Sequence, residues 1–257
     1  SDPSWVGKRV VGGINLGCGN CAVCKTDGPE HCPNRTVLGI IDHNGIFADY
    51  ATLPVRNLVA VPDHLPDEMA VFTEPLAAAF HIREQVSLSP ATKAAVVGPG
   101  RLGMLAGLVL ADAGVPVTML GHHKASLVLP ERLCLATGLV SEAKVNAFDL
   151  VVEATGNEDG LVHSLRLVRP LGTLVMKSTF SGTTTVDLTK LVVDEITVVG
   201  SRCGPFDKAV GLLAENRIPV RELIEAQYPL RDGLMAFDHA SRPGVRKILL
   251  KPEPFLG

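Results

Sequence analysis

Two textures of apolar and polar positions divide the chain. Over residues 1–72, short apolar runs at 8–11, 36–41 and 57–61 are broken by Gly, Pro, Asn and Asp. Runs of that length between turn formers predict strands in a β-rich module. From Glu74 the texture becomes EPLAAAFHIREQV, an alanine-rich stretch of strong helix formers. Beyond it, apolar runs at 94–97, 115–120, 150–153, 173–176 and 196–199 alternate with mostly helix-length segments. Runs that are apolar on both faces and separated by helices are what a parallel sheet covered on two sides requires. The pattern therefore predicts an α/β chain with a boundary near residues 75–90. After Glu222 a strand is expected at 223–228, a helix at 231–240 and a basic strand at 246–251, the last placed to rejoin the first module. The expected division is 1–80, 81–226 for a nucleotide-binding part, and a return segment 227–257.

Composition narrows the classes. At 257 residues with 46% hydrophobic content, the chain can bury a large core in one or two domains. Lys+Arg 24 against Asp+Glu 27, a net charge of −3, offers no basic field for nucleic acid. The longest apolar stretch, residues 104–120, is broken by Asp112, Gly114 and Pro116, which argues against a membrane span. No charged start followed by an apolar run marks a signal peptide, and the isolated Cys134 and Cys203 fit a reducing compartment, so cytoplasm is expected. The chain begins SDPSWVGKRVV without an initiator Met and reaches a strand-like run at once, so upstream sequence is expected to be missing.

Cys18, Cys21, Cys24 and Cys32 lie in GCGNCAVCKTDGPEHC with C-x2-C-x2-C-x7-C spacing. Four thiolates this close can surround one zinc ion, and an all-cysteine shell leaves no position open to water or substrate, so the site is read as structural. Two disulfides or four unrelated thiols fit adjacent C-x2-C pairs less well. His31 is a substitute ligand or a solvated loop residue.

AAVVGPGRLGMLAGLVLADAG places Gly98, Gly100 and Gly103 as G-x-G-x-x-G between an apolar strand and an apolar helix. In that context the first glycine permits the tight turn, the second lets backbone approach a pyrophosphate, and the third allows helix to pack on strand. Free N–H groups of the helix start then face the phosphates. Arg101 and Leu102 lie inside the turn, with Arg101 either reaching a phosphate or solvated. The next strand ends VTMLGHHK, with Gly121 lying 18 positions after Gly103, where an acid for the ribose hydroxyls is expected. His122, His123 and Lys124 follow without an acid before Glu131, so the cluster is read as attracting a 2′-phosphate. NADP is expected, with NAD as the alternative.

Taken together, the cysteine lobe, the later FTEPLAAAFH, the glycine turn, WVGKRVV, GIFADYATLP, FDLVVEATG and the closing RKILLKP resemble the zinc-dependent medium-chain dehydrogenase/reductase family, the alcohol, polyol and threonine dehydrogenase-like enzymes. The resemblance covers essentially the whole chain. It implies a GroES-like catalytic domain, partial here and carrying the structural zinc lobe, built from both chain ends and clasping a Rossmann domain with substrate in the cleft. It implies hydride transfer between nicotinamide and an alcohol, polyol or carbonyl, a small-molecule substrate, and a homo-oligomer. By the same resemblance Glu74 looks like the carboxylate ligand of a catalytic zinc, although a helix-start glutamate beside Pro75 is an equally plain reading of the residues. The family's further ligands, a Cys and a His followed by Glu, lie upstream of the strand matching KRVV, and this chain has neither there. Glu74 is thus expected to lack its partners, the chain as given to be incomplete for catalysis, and the catalytic residues to be unknown.

Further positions carry over from the family. Thr155 and Gly156 in VVEATG look like a turn against the adenosine half. Ser178 and Thr179 in MKSTF look like the turn near the nicotinamide, and Arg202 in VVGSRCGPF holds a similar place after the sixth strand. Cys203 is read as a small buried hydrophobe, and His43, His64, His81, His163 and His239 as structural or solvated. The alternative function is a non-catalytic dinucleotide-binding protein with a structural zinc. A metal-free, quinone reductase-like enzyme ranks last, since that branch generally lacks the cysteine lobe.

Overall fold

The computed structural model describes residues 2–179 and 183–253. Ser1 and the last four residues of the expected return segment lie outside them. Two compact units emerge, one made of residues 1–74 and 206–257 and the other of residues 75–205.

In the first unit, strand β1 (Val10–Gly12) is the earliest, and β2 (Asn15–Leu16) follows it. Helix α1 (Ala22–Thr26) lies in the cysteine lobe, which β3 (Thr36–Val37) closes by pairing antiparallel with β2. Strand β4 (Leu58–Ala60) pairs antiparallel with β1. The expected strand at 36–41 is shorter than its apolar run, because Ile41 turns back to bridge Val37. Helix α2 (Asp67–Ala70) precedes α3 (Thr73–Phe80), the alanine-rich helix within which the second unit begins, and α4 (Ile82–Gln85) follows in that second unit.

The second unit is a six-stranded, all-parallel sheet. Strand β5 (Ala94–Val97) leads into α5 (Arg101–Asp112), then β6 (Val117–Gly121), α6 (Val128–Arg132), β7 (Ala136–Leu139), β8 (Phe148–Glu153), α7 (Glu158–Leu167), β9 (Val168–Met176), α8 (Leu188–Val193) and β10 (Thr197–Gly200). The order β10-β9-β8-β5-β6-β7 is that of a doubly wound Rossmann sheet, with its reversal of winding between β5 and β8. Every residue of β5 is buried, as a central strand covered on both faces requires. Strand β7 escaped the sequence reading: ATGL is too short and too rich in small residues to stand out, and it is a strand because β6 offers it an edge.

The chain then returns to the first unit through α9 (Phe206–Ala214), β11 (Ile224–Pro229), α10 (Gly233–Ser241) and β12 (Lys247–Lys251). Strands β11 and β12 pair in parallel, and Arg221 donates to Glu68 of α2. By contacts residues 206–226 thus group with the first unit, whereas the sequence reading runs the nucleotide-binding part to 226.

Candidate functional site

The cysteine lobe has almost no regular structure of its own. Cys21 caps α1 by accepting from the Cys24 N–H, and Cys32 is fully buried. The four Sγ atoms lie within 4.8 Å of one another, with Cys18–Cys32 at 3.7 Å, Cys21–Cys32 at 3.8 Å and Cys18–Cys24 at 3.9 Å. A tetrahedron of thiolates at the usual zinc–sulfur bond length has edges of about 3.8 Å, so the donor set fits zinc and is too wide for disulfides. N–H groups of Asn20 and Cys21 hold the Cys18 thiol down to about 6. Although the Gly19 N–H pulls the other way, burial and the neighbouring cysteines push Cys24 up to about 12. A bound cation would hold the four sulfurs as thiolates.

The remaining candidates converge on the C-terminal ends of the parallel strands. Gly98 has φ +95°, a left-handed conformation that glycine adopts without cost, and a Cβ there would lie 2.8 Å from the Ala154 carbonyl oxygen. At Gly103 a Cβ would overlap the carbonyl oxygen of Gly98, so the helix can approach the turn this closely only without a side chain. Around Gly100 nothing lies within 4 Å of an added Cβ, and the start of α5 has no side-chain cap and no acid in its first turn. An open glycine before an uncapped helix start is a fitting cradle for a pyrophosphate. Arg101 is exposed and Leu102 half-buried at this turn.

Gly121 ends β6 buried, and a Cβ there would overlap Ser126 Oγ. That packing, from the turn at Lys124–Leu127, accounts for glycine where an acid was expected. His122, His123 and Lys124 are exposed. The His122 ring lies 5.5 Å from that of His163 in α7, a neighbour that sequence reasoning had set aside. Burial, then Arg166 and His122, lower the affinity of His163 for a proton.

Thr155 and Ser178 are brought together by a residue the sequence reading missed. Glu153, the last residue of β8, is 1% exposed, and its Oε1 accepts from the Thr155 N–H and Oγ1 at 2.6 Å each and from Ser178 Oγ at 3.3 Å. Ser178 Oγ in turn accepts from the Gly156 N–H at 2.8 Å. The network locks the turns after β8 and β9 together. The available signal was an acid ending the apolar run LVVE. Thr179 and Arg202 are exposed beyond β9 and β10, and Cys203 is half-buried.

Glu74 opens α3. Among the described residues, the four cysteines are the only group of three or more His, Cys, Asp or Glu donors gathered closely enough to hold a metal. Glu74 is not part of that group. Also among the described residues, no helix is long and apolar enough to cross a membrane.

Residues 1–63 match the family model for the alcohol dehydrogenase GroES-like domain. Similar curated proteins include D-arabitol-phosphate dehydrogenase of Enterococcus avium, 29% identical over 97% of this chain and 76% of the relative. D-arabinitol dehydrogenase 1 of Uromyces fabae is 27% identical over 96% of this chain and 76% of its own length. Among solved structures, a thermostable alcohol dehydrogenase from Pyrobaculum aerophilum with cobalt and zinc bound is 28% identical, with a TM-score of 0.85 over 95% of this chain and 75% of that one. The likeness runs through both units: the chain is similar, in sequence and in architecture, to zinc-dependent medium-chain dehydrogenases/reductases.

Proposed function

We propose that this protein is an NAD(P)-dependent oxidoreductase that transfers hydride between the nicotinamide and a small alcohol, polyol or carbonyl compound, with NADP preferred. The observation that carries the reading is the uncapped start of α5 behind the open Gly100, at the winding reversal of a parallel sheet. The bound nicotinamide supplies the hydride chemistry. Gly98, Gly100, Arg101, Leu102 and Gly103 hold the pyrophosphate. His122 and Lys124 receive the 2′-phosphate beside Gly121, which stands where an acid would repel it. Thr155, Ser178, Thr179 and Arg202 border the rest of the dinucleotide. Zinc at Cys18, Cys21, Cys24 and Cys32 holds the lobe in shape and takes no part in turnover.

The polyol names of the relatives favour sugar alcohols as the substrate class, and Cys134 and Cys203, held apart from the metal cluster, fit a reducing compartment such as the cytoplasm. A homo-oligomer is the fitting assembly, because edge strand β10 leaves Val198 exposed and α8 leaves Leu188, Val192 and Val193 exposed.

Calorimetric titration with NADP and NAD tests the reading. Tighter binding of NADP is expected; NAD binding at least as tightly overturns the cofactor preference, and binding of neither overturns the dinucleotide site. A second reading is a dinucleotide-binding protein with a structural zinc and no turnover. Chelator-sensitive reduction of NADP by D-arabitol would remove it.

A further inference from the structure

Lys177 directly follows β9 and is 7% exposed. Burying an ammonium group is costly unless its N–H groups find acceptors. Lys177 Nζ donates to Ala78 O at 2.6 Å, to Arg202 O at 3.0 Å and to Ser201 Oγ at 3.1 Å. One acceptor belongs to α3, and two belong to the residues that leave β10. Ser201 is itself buried, and its N–H donates to Met176 O, so the turn after β10 is held from both the backbone and the side chain of the β9 end. Gly204, three residues after Ser201, packs so closely that a Cβ would overlap the Ala77 carbonyl oxygen.

The sheet order tells which half of a dinucleotide this corner serves. The glycine turn belongs to the β5-β6-β7 half and takes the adenosine side, while the β8-β9-β10 half, across the winding reversal, takes the other nucleotide. Lys177, Ser201 and Arg202 all stand at strand ends of that second half.

We propose that Lys177 is a positioning residue for the nicotinamide half of the dinucleotide. Its ammonium group fixes the Ser201 and Arg202 turn against α3, and the fixed turn shapes the nicotinamide subsite. The inference rests on the dinucleotide reading above. A staple serving stability alone would affect both halves of the ligand alike.

The test compares two probes on the wild type, Lys177→Met and Ser201→Ala. One probe is NADPH; the other is 2′-phospho-ADP-ribose, which keeps the adenosine half and lacks nicotinamide. Lys177→Met is expected to weaken NADPH roughly tenfold or more while the truncated probe changes less than about twofold, the size expected from hydrogen bonds to a charged group. Ser201→Ala, which removes one of the three acceptors, is expected to show the same split at about threefold, and it carries the comparison should Lys177→Met not fold. Equal losses for both probes, or no loss for either in folded variants, overturn the inference and leave the dinucleotide site standing. A wild type that binds neither probe overturns both.

Discussion

At the scale of single residues, the positions that were legible are those whose type is dictated by backbone. Gly98 and Gly103 announce themselves because a left-handed turn and a helix pressed on a carbonyl leave no room for another residue, whereas Gly100 meets nothing and leaves the helix start open. Gly121 belongs with them, but its reason lies in the turn that folds over it. Gly121→Asp, which would supply the missing acid, is expected to cost about 1–3 kcal/mol through overpacking against Ser126. The double variant with Ser126→Gly should recover most of that loss. Denaturant melts of the single and double variants check this, and additive losses would show that the two sites are not coupled. Glu153 and Lys177 were not legible, because a charge at the end of an apolar run reads as the place where the strand meets water. Only the neighbouring turns, Thr155 with Ser178 and Ser201 with Arg202, turn these ends inward. The His122–His163 pairing joins residues 41 apart in sequence through the sheet, with no spacing to betray it.

Among elements, strands that carry an apolar run were found and those without one were not. Strand β5 coincides with its apolar run and β9 begins five residues before its own, whereas β2 and β7 exist only because a partner edge receives them. The cysteine lobe is the opposite case, an element specified by ligand spacing with hardly any secondary structure. Its paired strands are two residues long and its helix five. Such a segment cannot bury enough surface to hold itself, so its order depends on the metal. One zinc per chain is expected by elemental analysis of the purified protein. Stripping it with a chelator should lower the melting temperature, while affinity for 2′-phospho-ADP-ribose stays within about twofold because a structural site acts through folding. Two zinc ions per chain, or none, would contradict this assignment.

For the whole molecule, the alternation of apolar runs was enough to reveal a parallel sheet, and the glycine turn to identify which one. What pattern could not reveal is association, which depends on the surfaces left over. The edge at β10 is the clearest of these. A Lys in place of Val198 should shift the protein towards monomer, since a charge on an exposed strand edge blocks pairing with a second edge. Light scattering after size exclusion checks it: a wild type already monomeric, or a Val198→Lys protein that stays associated, rejects this edge as the contact.

The first unit is assembled from two separated stretches, residues 1–74 and 206–257, around an uninterrupted second unit. Ribosomal synthesis releases a chain from its N-terminus, and domains fold as units when their sequence is complete. The Rossmann unit therefore has all of its strands before β11 and β12 exist. During that interval the residues of the first unit already made lack its C-terminal stretch, and the cysteine lobe, whose four ligands are complete by Cys32, is a part of that unit that a metal ion can already fasten.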